Sequence, residues 1–126
     1  MIPCILAHDL GTSGNKASLF DFNGKLIGST VVSYSVYYPR RGWAEERPED
    51  WWNAVCQATK SVLEMVPDAE VSTVAVTGQM MGCLALDKEG KTLGNSIIWS
   101  DSRAEAESER LVRQLTKEGY QKITGQ

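Results

Sequence analysis

Ile5-Leu6-Ala7-His8-Asp9-Leu10-Gly11-Thr12-Ser13-Gly14-Asn15-Lys16-Ala17-Ser18-Leu19-Phe20-Asp21-Phe22 is the stretch from which the fold is read. Ile5 to Asp9 is a short apolar run of the kind a buried strand uses, and Gly11 to Asn15 is a tight turn. Lys16 to Phe22 predicts a second strand, with Ala17 and Leu19 on one face and Ser18 and Phe20 on the other. Asn23-Gly24 predicts a type I′ hairpin turn with positive φ at both centres, from which Leu26 to Ser35 returns as a third strand. The first third of the chain is therefore a β-meander whose first bend is rich in glycine and hydroxyls.

Beyond the meander, Tyr37 to Arg47 reads as an extended loop. Pro48 opens a helix whose first turn carries Glu49 and Asp50, favourable at the positive end of the helix dipole. Trp51, Val55, Ala58, Val62 and Val66 form one apolar stripe, and Pro67 stops the helix. Val71 to Thr77 is a β-branched run that a crossover helix would lay parallel to an earlier strand. Leu86 to Gly94 repeats the apolar-Asp-x-x-Gly-Lys pattern of Phe20 to Gly28, so a second hairpin with the same turn chemistry is expected. Ser102 to Glu105 has capping-box form, Ala104, Ser108, Leu111 and Leu115 give a second helical stripe, and Gly119 is its expected C-cap.

The 126 residues suit one domain with a real core. The hydrophobic fraction is 42% and the charged fraction 23%, near globular averages, so disorder is not expected. Thirteen Lys and Arg against sixteen Asp and Glu leave a net charge of −3, which lacks the basic footprint of a nucleic-acid binder. Ile2 to Ala7 is too short for a signal core or a spanning helix, so no membrane association is expected. Cys4, Cys56 and Cys83 are odd in number and lack metal-type spacing, which favours free thiols and a cytoplasmic setting.

Three segments carry chemistry. In Asp9-Leu10-Gly11-Thr12-Ser13-Gly14-Asn15-Lys16, backbone N–H groups and hydroxyls in a tight bend can form a concave anion site, and Lys16 can add charge for a phosphate. Asp9 can orient a hydrated Mg²⁺, an ion that favours oxygen. A solvated β-turn has the same composition. Thr77-Gly78-Gln79-Met80-Met81-Gly82 follows the buried strand, at the carboxyl end where open α/β sheets bind ligands. Its alternative is a turn with methionine as core filler. In Trp99-Ser100-Asp101-Ser102-Arg103, Trp99 offers an apolar face, while Asp101 and Arg103 can grip hydroxyls; the alternative is that Asp101 or Ser102 merely caps a helix, Arg103 is a solvated first-turn residue and Trp99 is core. Gly90-Lys91-Thr92 resembles the end of a Walker A loop, but the first glycine would fall at Ala85 and no helix follows. His8, inside an apolar strand, reads as a satisfied core histidine. The aromatic group around Tyr34, Tyr37, Tyr38 and Trp43 reads as packing, and Glu105, Glu107 and Glu109 read as a solvated helix face.

Taken in order, these segments resemble the N-terminal lobe of the FGGY carbohydrate kinases, most closely the xylulokinase-like branch. The resemblance adds Gly42-Trp43-Ala44-Glu45 leading to Pro48-Glu49-Asp50-Trp51-Trp52, and Thr124-Gly125-Gln126, and so covers nearly the whole chain. It implies a ribonuclease-H-like, actin-type α/β fold: a mixed sheet with flanking helices, residues 1–126 forming one incomplete lobe. It also implies ATP-dependent phosphorylation of a sugar hydroxyl, with xylulose or a related ketopentose or polyol as substrate. On this resemblance Asp9 stands near Mg²⁺ and the transferring phosphoryl. Gly11, Thr12, Ser13, Gly14, Asn15 and Lys16 form the phosphate loop. Gln79, Met80 and Met81 border the sugar, and Trp99, Asp101 and Arg103 line or brace its pocket. Xylulokinases typically carry His where Met81 stands, and a thioether cannot donate a hydrogen bond. The family's general base, an Asp, and most of its adenosine pocket lie beyond this chain, so the chain alone is expected to be inactive and to lack its second lobe. A non-catalytic sugar- or phosphate-binding module of the same fold is the alternative. The outer edge of the strand from Val71 to Thr77 would lie open, which invites pairing between chains.

Overall fold

The structure, a computed structural model, describes residues 1–125; Gln126 of the Thr124-Gly125-Gln126 motif lies outside the described residues. The meander forms as expected: β1 (Ile2–Leu10), β2 (Gly14–Asp21) and β3 (Leu26–Ser33) are successive antiparallel neighbours. After the two-residue β4 (Glu45–Glu46), helix α1 (Pro48–Met65) crosses to β5 (Ala69–Gly78), which pairs parallel to β1. The sheet order is β3-β2-β1-β5. β6 (Ser96–Ile97) pairs with β4, and α2 (Glu105–Leu115) and α3 (Lys117–Thr124) close the chain.

The core lies between α1 and one face of the sheet. Cys4, Leu6, Ala17 and Leu19 meet Ala58 and Val62 there, all essentially without solvent contact. Ala54 is the third buried residue of α1, so the stripe that meets the sheet is Ala54, Ala58 and Val62 at one-turn spacing. Its small residues allow close approach: a Cβ on Gly28 of β3 would lie 2.8 Å from Val66. His8 is buried as expected, with its ring between Asn15 and the Thr59 hydroxyl. All three cysteines are free. Among the described residues no helix is long and apolar enough to cross a membrane.

Several local expectations are corrected. Gly24 has φ +80° but Asn23 does not have positive φ, so the first hairpin is not type I′. Asp21 instead organises the turn by accepting the N–H groups of Asn23 and Lys25 on one carboxylate oxygen. Asp87 repeats this with Glu89 and Lys91, but the second hairpin is reduced to a single bridge between Leu86 and Thr92. Ser102 does not cap a helix; its hydroxyl donates to the Gly42 carbonyl, and α2 starts after Ala104 without a side-chain cap. Gly119 lies inside α3, because Thr116 (φ +58°) ends α2 and accepts the Gly119 N–H as the cap of the next helix. Leu111 and Leu115 remain substantially exposed, so the stripe of α2 has no core to enter here.

The long loop before α1 is tied down by one charged clamp. Arg103 reaches both carboxylate oxygens of Asp101 at 2.7–2.9 Å and donates to Glu45 at 2.8 Å. Its guanidinium stacks 3.8 Å above the Trp43 ring, and Asp101 also accepts the Ala44 N–H at 2.7 Å. Hydrogen bonds from Arg103 are the main reason the Asp101 carboxyl is held down to about 2. A depressed carboxyl stabilises the fold above its ordinary range, and that contribution is lost as pH falls through the depressed value. Asp101→Ala should therefore lower Tm at neutral pH by about 5 °C or more, with the deficit shrinking as pH approaches the low value. Thermal melts followed by circular dichroism across pH check this, and an unchanged Tm would show the clamp to be ornamental.

Candidate functional site

β1 and β5 end side by side, with Leu10 opposite Gly78. Gly78 is required there: a Cβ would sit 2.7 Å from the Leu10 carbonyl oxygen. That contact lets the Gln79 N–H bond Leu10 O at 2.8 Å, which extends the pairing one residue past the strand. A cleft of about 400 Å³ opens beyond these two carboxyl ends, lined by Asp9, Gly11, Thr12, Gly78, Gln79, Met80, Met81 and Trp99. Parallel strand ends are where α/β sheets place ligands, because the loops that follow neighbouring strands face each other there.

The bend after β1 is closed by the Gly11 N–H bonding Gly14 O at 3.0 Å, and by the Tyr34 N–H bonding Ser13 O at 3.2 Å. The Tyr34 hydroxyl donates to the Gly11 carbonyl. Burial, then the charges of Glu46 and Asp9, push the Tyr34 phenol up to about 12, so it remains a donor at ordinary pH. Among the described residues, the Thr12 and Ser13 N–H groups have no internal acceptor. Two free backbone donors in one bend beside a carboxylate are the parts of an anion nest. The two glycines serve different ends. A Cβ on Gly14 would lie 2.7 Å from Val32 O, so β3 requires that glycine; a Cβ on Gly11 meets nothing nearer than 3.6 Å.

The sequence grouped Asn15 and Lys16 with the bend, but β2 has already begun at Gly14 and its alternation separates them. Asn15 turns under α1, fully buried, with its amide engaged by His8 and the Ala54 carbonyl. Its side chain is thus a core group and not a phosphate ligand. Lys16 faces the other way, opposite Asp9 in the β1–β2 ladder and on the same face of the sheet. Met80 and Met81 are 75% and 66% exposed, so they wall the cleft and are not core filler. Met81 has φ +62°, a conformation that non-glycine residues seldom adopt outside turns and functional sites. Trp99 is half exposed at the cleft and donates its indole N–H to Thr12 at 2.9 Å. Of the two roles expected for Asp101 and Arg103, lining or bracing, the geometry favours the second: neither is among the residues that line the cleft, and both are engaged in the clamp with Glu45 and Trp43, which holds the segment that carries Trp99.

Glu46 escaped the sequence reading. It sits in the two-residue β4 with no solvent contact, and its Oε2 accepts the Trp51 indole N–H at 2.6 Å and the Gln79 amide N–H at 2.7 Å. Burial pushes its carboxyl up. In sequence it looked like one more charge before a proline-led helix. No local pattern marks a two-residue strand, which forms by pairing with the distant β6.

The comparisons with known proteins agree with this geometry. The N-terminal domain of the FGGY family of carbohydrate kinases matches residues 4–126. A glycerol kinase from Rippkaea orientalis is 37% identical over 118 residues, which cover 91% of this chain and 23% of that protein. A gluconokinase from Bacillus licheniformis is 30% identical over 99% of this chain and 24% of its own length. The crystal structure of xylulose kinase from Rhodospirillum rubrum superposes with a TM-score of 0.88 at 25% identity, covering 94% of this chain and 25% of that one. The chain thus spans about a quarter of the length of the relatives it matches. Its sheet order, its cleft at the ends of β1 and β5 and the match over residues 4–126 place this chain in the FGGY family of carbohydrate kinases.

Proposed function

We propose that this chain is the first part of an ATP-dependent kinase that phosphorylates a hydroxyl of xylulose or a related ketopentose or polyol. The observation that carries this reading is the cleft, which gathers Asp9, Gly11, Thr12, Gln79, Met80, Met81 and Trp99 from three separate stretches of chain. The terminal phosphates lie over Gly11, Thr12 and Ser13, where two unengaged backbone N–H groups each contribute about 1.5–3 kcal/mol as hydrogen bonds to a charged group. Lys16 adds positive charge on the same sheet face. The sugar lies between Gln79 and the apolar walls of Met80, Met81 and Trp99. Thioether and indole surfaces suit its C–H edges, and the Gln79 amide suits its hydroxyls.

The donor set fits a weakly held Mg²⁺. Among the described residues no group of three or more acidic, His or Cys side chains could cage a metal. One carboxylate, Asp9, at the cleft suits an ion that keeps most of its waters and takes other ligands from phosphates. When bound, Mg²⁺ would neutralise charge on the phosphates. The chain's own residues position: phosphoryl transfer asks for alignment and charge stabilisation more than for covalent help. Among the described residues Asp9 is the one carboxylate that lines the cleft, and the chain spans about a quarter of the length of its relatives; on this reading the sugar proton is taken by a base in a longer protein, and the 126 residues alone do not turn over. A cytoplasmic setting suits this reading, and the three free thiols accord with it.

A panel of xylulose, glycerol and gluconate with Mg-ATP tests the full-length protein. Turnover of one substrate supports the kinase reading. Binding without turnover favours a non-catalytic module, and turnover by the isolated 126 residues would refute the assignment of the base to sequence beyond them. Gly11→Ala should fold normally yet weaken nucleotide binding about tenfold, because a methyl group keeps a phosphate off the backbone by roughly the worth of one charged hydrogen bond. Gly14→Ala should instead lower Tm. Calorimetry with Mg-ATP and thermal melts separate the two, and equal effects at both glycines would contradict the division of roles. Because among the described residues β5 has no partner on its outer edge and exposes Val74 and Val76, the isolated chain should also self-associate as concentration rises. Light scattering showing a strict monomer at high concentration would contradict that.

A further inference from the structure

Glu46 is the only acidic residue among the buried polar groups of the described chain, and no cation pairs with it. Its Oε1 is buried with no hydrogen-bond partner, while Oε2 takes two N–H donors. An unpaired buried carboxylate is costly to the fold, and a neutral amide of the same shape would fill the space at lower cost. A packing role therefore does not account for the residue.

Its hydrogen bonds point to another role. The Trp99 indole N–H donates to the Thr12 hydroxyl at 2.9 Å, and that hydroxyl donates to Gln79 Oε1 at 3.4 Å. Gln79 Nε2 then donates to Glu46 Oε2 at 2.7 Å, so every donor in the chain runs towards Glu46. A carboxylate accepts and cannot donate, so it allows Gln79 only one orientation, nitrogen inward and carbonyl on the side of Thr12. A neutral amide at position 46 would accept from Gln79 Nε2 or donate to Gln79 Oε1 equally well, and both orientations would be populated.

We propose that Glu46 is a positioning residue that locks the Gln79 amide with its carbonyl towards the cleft, so that Gln79 and Thr12 together present acceptors to the hydroxyl hydrogens of a polyol. The specificity part of this rests on the kinase reading above; the locking part does not.

Two measurements on the full-length protein keep them apart. The first is amide NMR of the Gln79 side chain in wild type, Glu46→Gln and Glu46→Asp. Wild type should show one pair of well-dispersed, slowly exchanging amide signals, Glu46→Gln should broaden or average them, and Glu46→Asp, which keeps an acceptor-only carboxylate, should perturb them less than Glu46→Gln. Unchanged Gln79 signals would overturn the lock, whatever the protein's activity. The second is steady-state kinetics on the best substrate among xylulose, glycerol and gluconate, for wild type, Glu46→Gln, Gln79→Ala and the double variant. Glu46→Gln should raise KM about twofold, because about half of the Gln79 amides would then present the wrong end to the substrate, with kcat unchanged. In the Gln79→Ala background, where there is no amide to orient, the same change should leave KM unchanged. An equal KM effect in both backgrounds, or none in either, would overturn the specificity claim. Tm of Glu46→Gln at neutral pH should equal or exceed that of wild type, and a variant that fails to fold would contradict the argument that the charge is kept at the expense of stability. Absence of turnover by wild type on every substrate would count against the kinase reading and leave the NMR result to decide the lock.

Discussion

The parallel pairing of β1 with β5 is the constraint on which the site depends. It brings Leu10 against Gly78 so closely that no side chain fits, and it carries the pairing on through the Gln79 N–H. Asp9 and the Gly11–Ser13 bend leave one strand end while Gln79, Met80 and Met81 leave the other, and the cleft is the gap between them. The pairing is nonlocal, spanning residues far apart in sequence, and α1 makes it possible by crossing over β2 and β3. Its small buried stripe lets the helix lie close to the sheet.

Around this frame two polar assemblies divide the work. The clamp of Arg103 on Asp101, Glu45 and Trp43 holds the loop before α1 against the segment that carries Trp99. It is nearly fully satisfied, and the opposite charges hold each other in their ionised forms. The chain from Trp99 through Thr12 and Gln79 to Glu46 ends instead on a carboxylate with an unused oxygen. One assembly stabilises and the other spends stability on orientation. Functional sites tend to break local rules in this way.

Much of this was legible because it is local. The meander, the helix opened by Pro48 and stopped before Pro67, and the parallel β5 follow from periodicity and turn residues. The shared Asp-x-x-Gly chemistry at Asp21 and Asp87 follows from side chains that bond their own backbone. Asp9, Gly11, Thr12, Gln79, Met80, Met81 and Trp99 were marked in advance and converge on one cleft. Asn15 was misplaced because β2 starts earlier than its residues advertise, and one step along a strand reverses the face. Whether Asp101 and Arg103 line the pocket or brace it was not legible, because their partners, Glu45 and Trp43, lie more than fifty residues away and no local pattern couples them. Glu46 was passed over for the same reason: its strand partner β6 and its hydrogen-bond partner Gln79 are both distant in sequence.

The central claim is that the bend after β1 cradles the terminal phosphates of a nucleotide beside Asp9. A crystal structure of the full-length protein with a non-hydrolysable Mg-ATP analogue tests it most directly. The account predicts a terminal phosphate oxygen within hydrogen-bond distance of the Thr12 and Ser13 N–H groups, with the ion's water shell against Asp9. Nucleotide density elsewhere, with those two N–H groups bonded only to solvent, would contradict it.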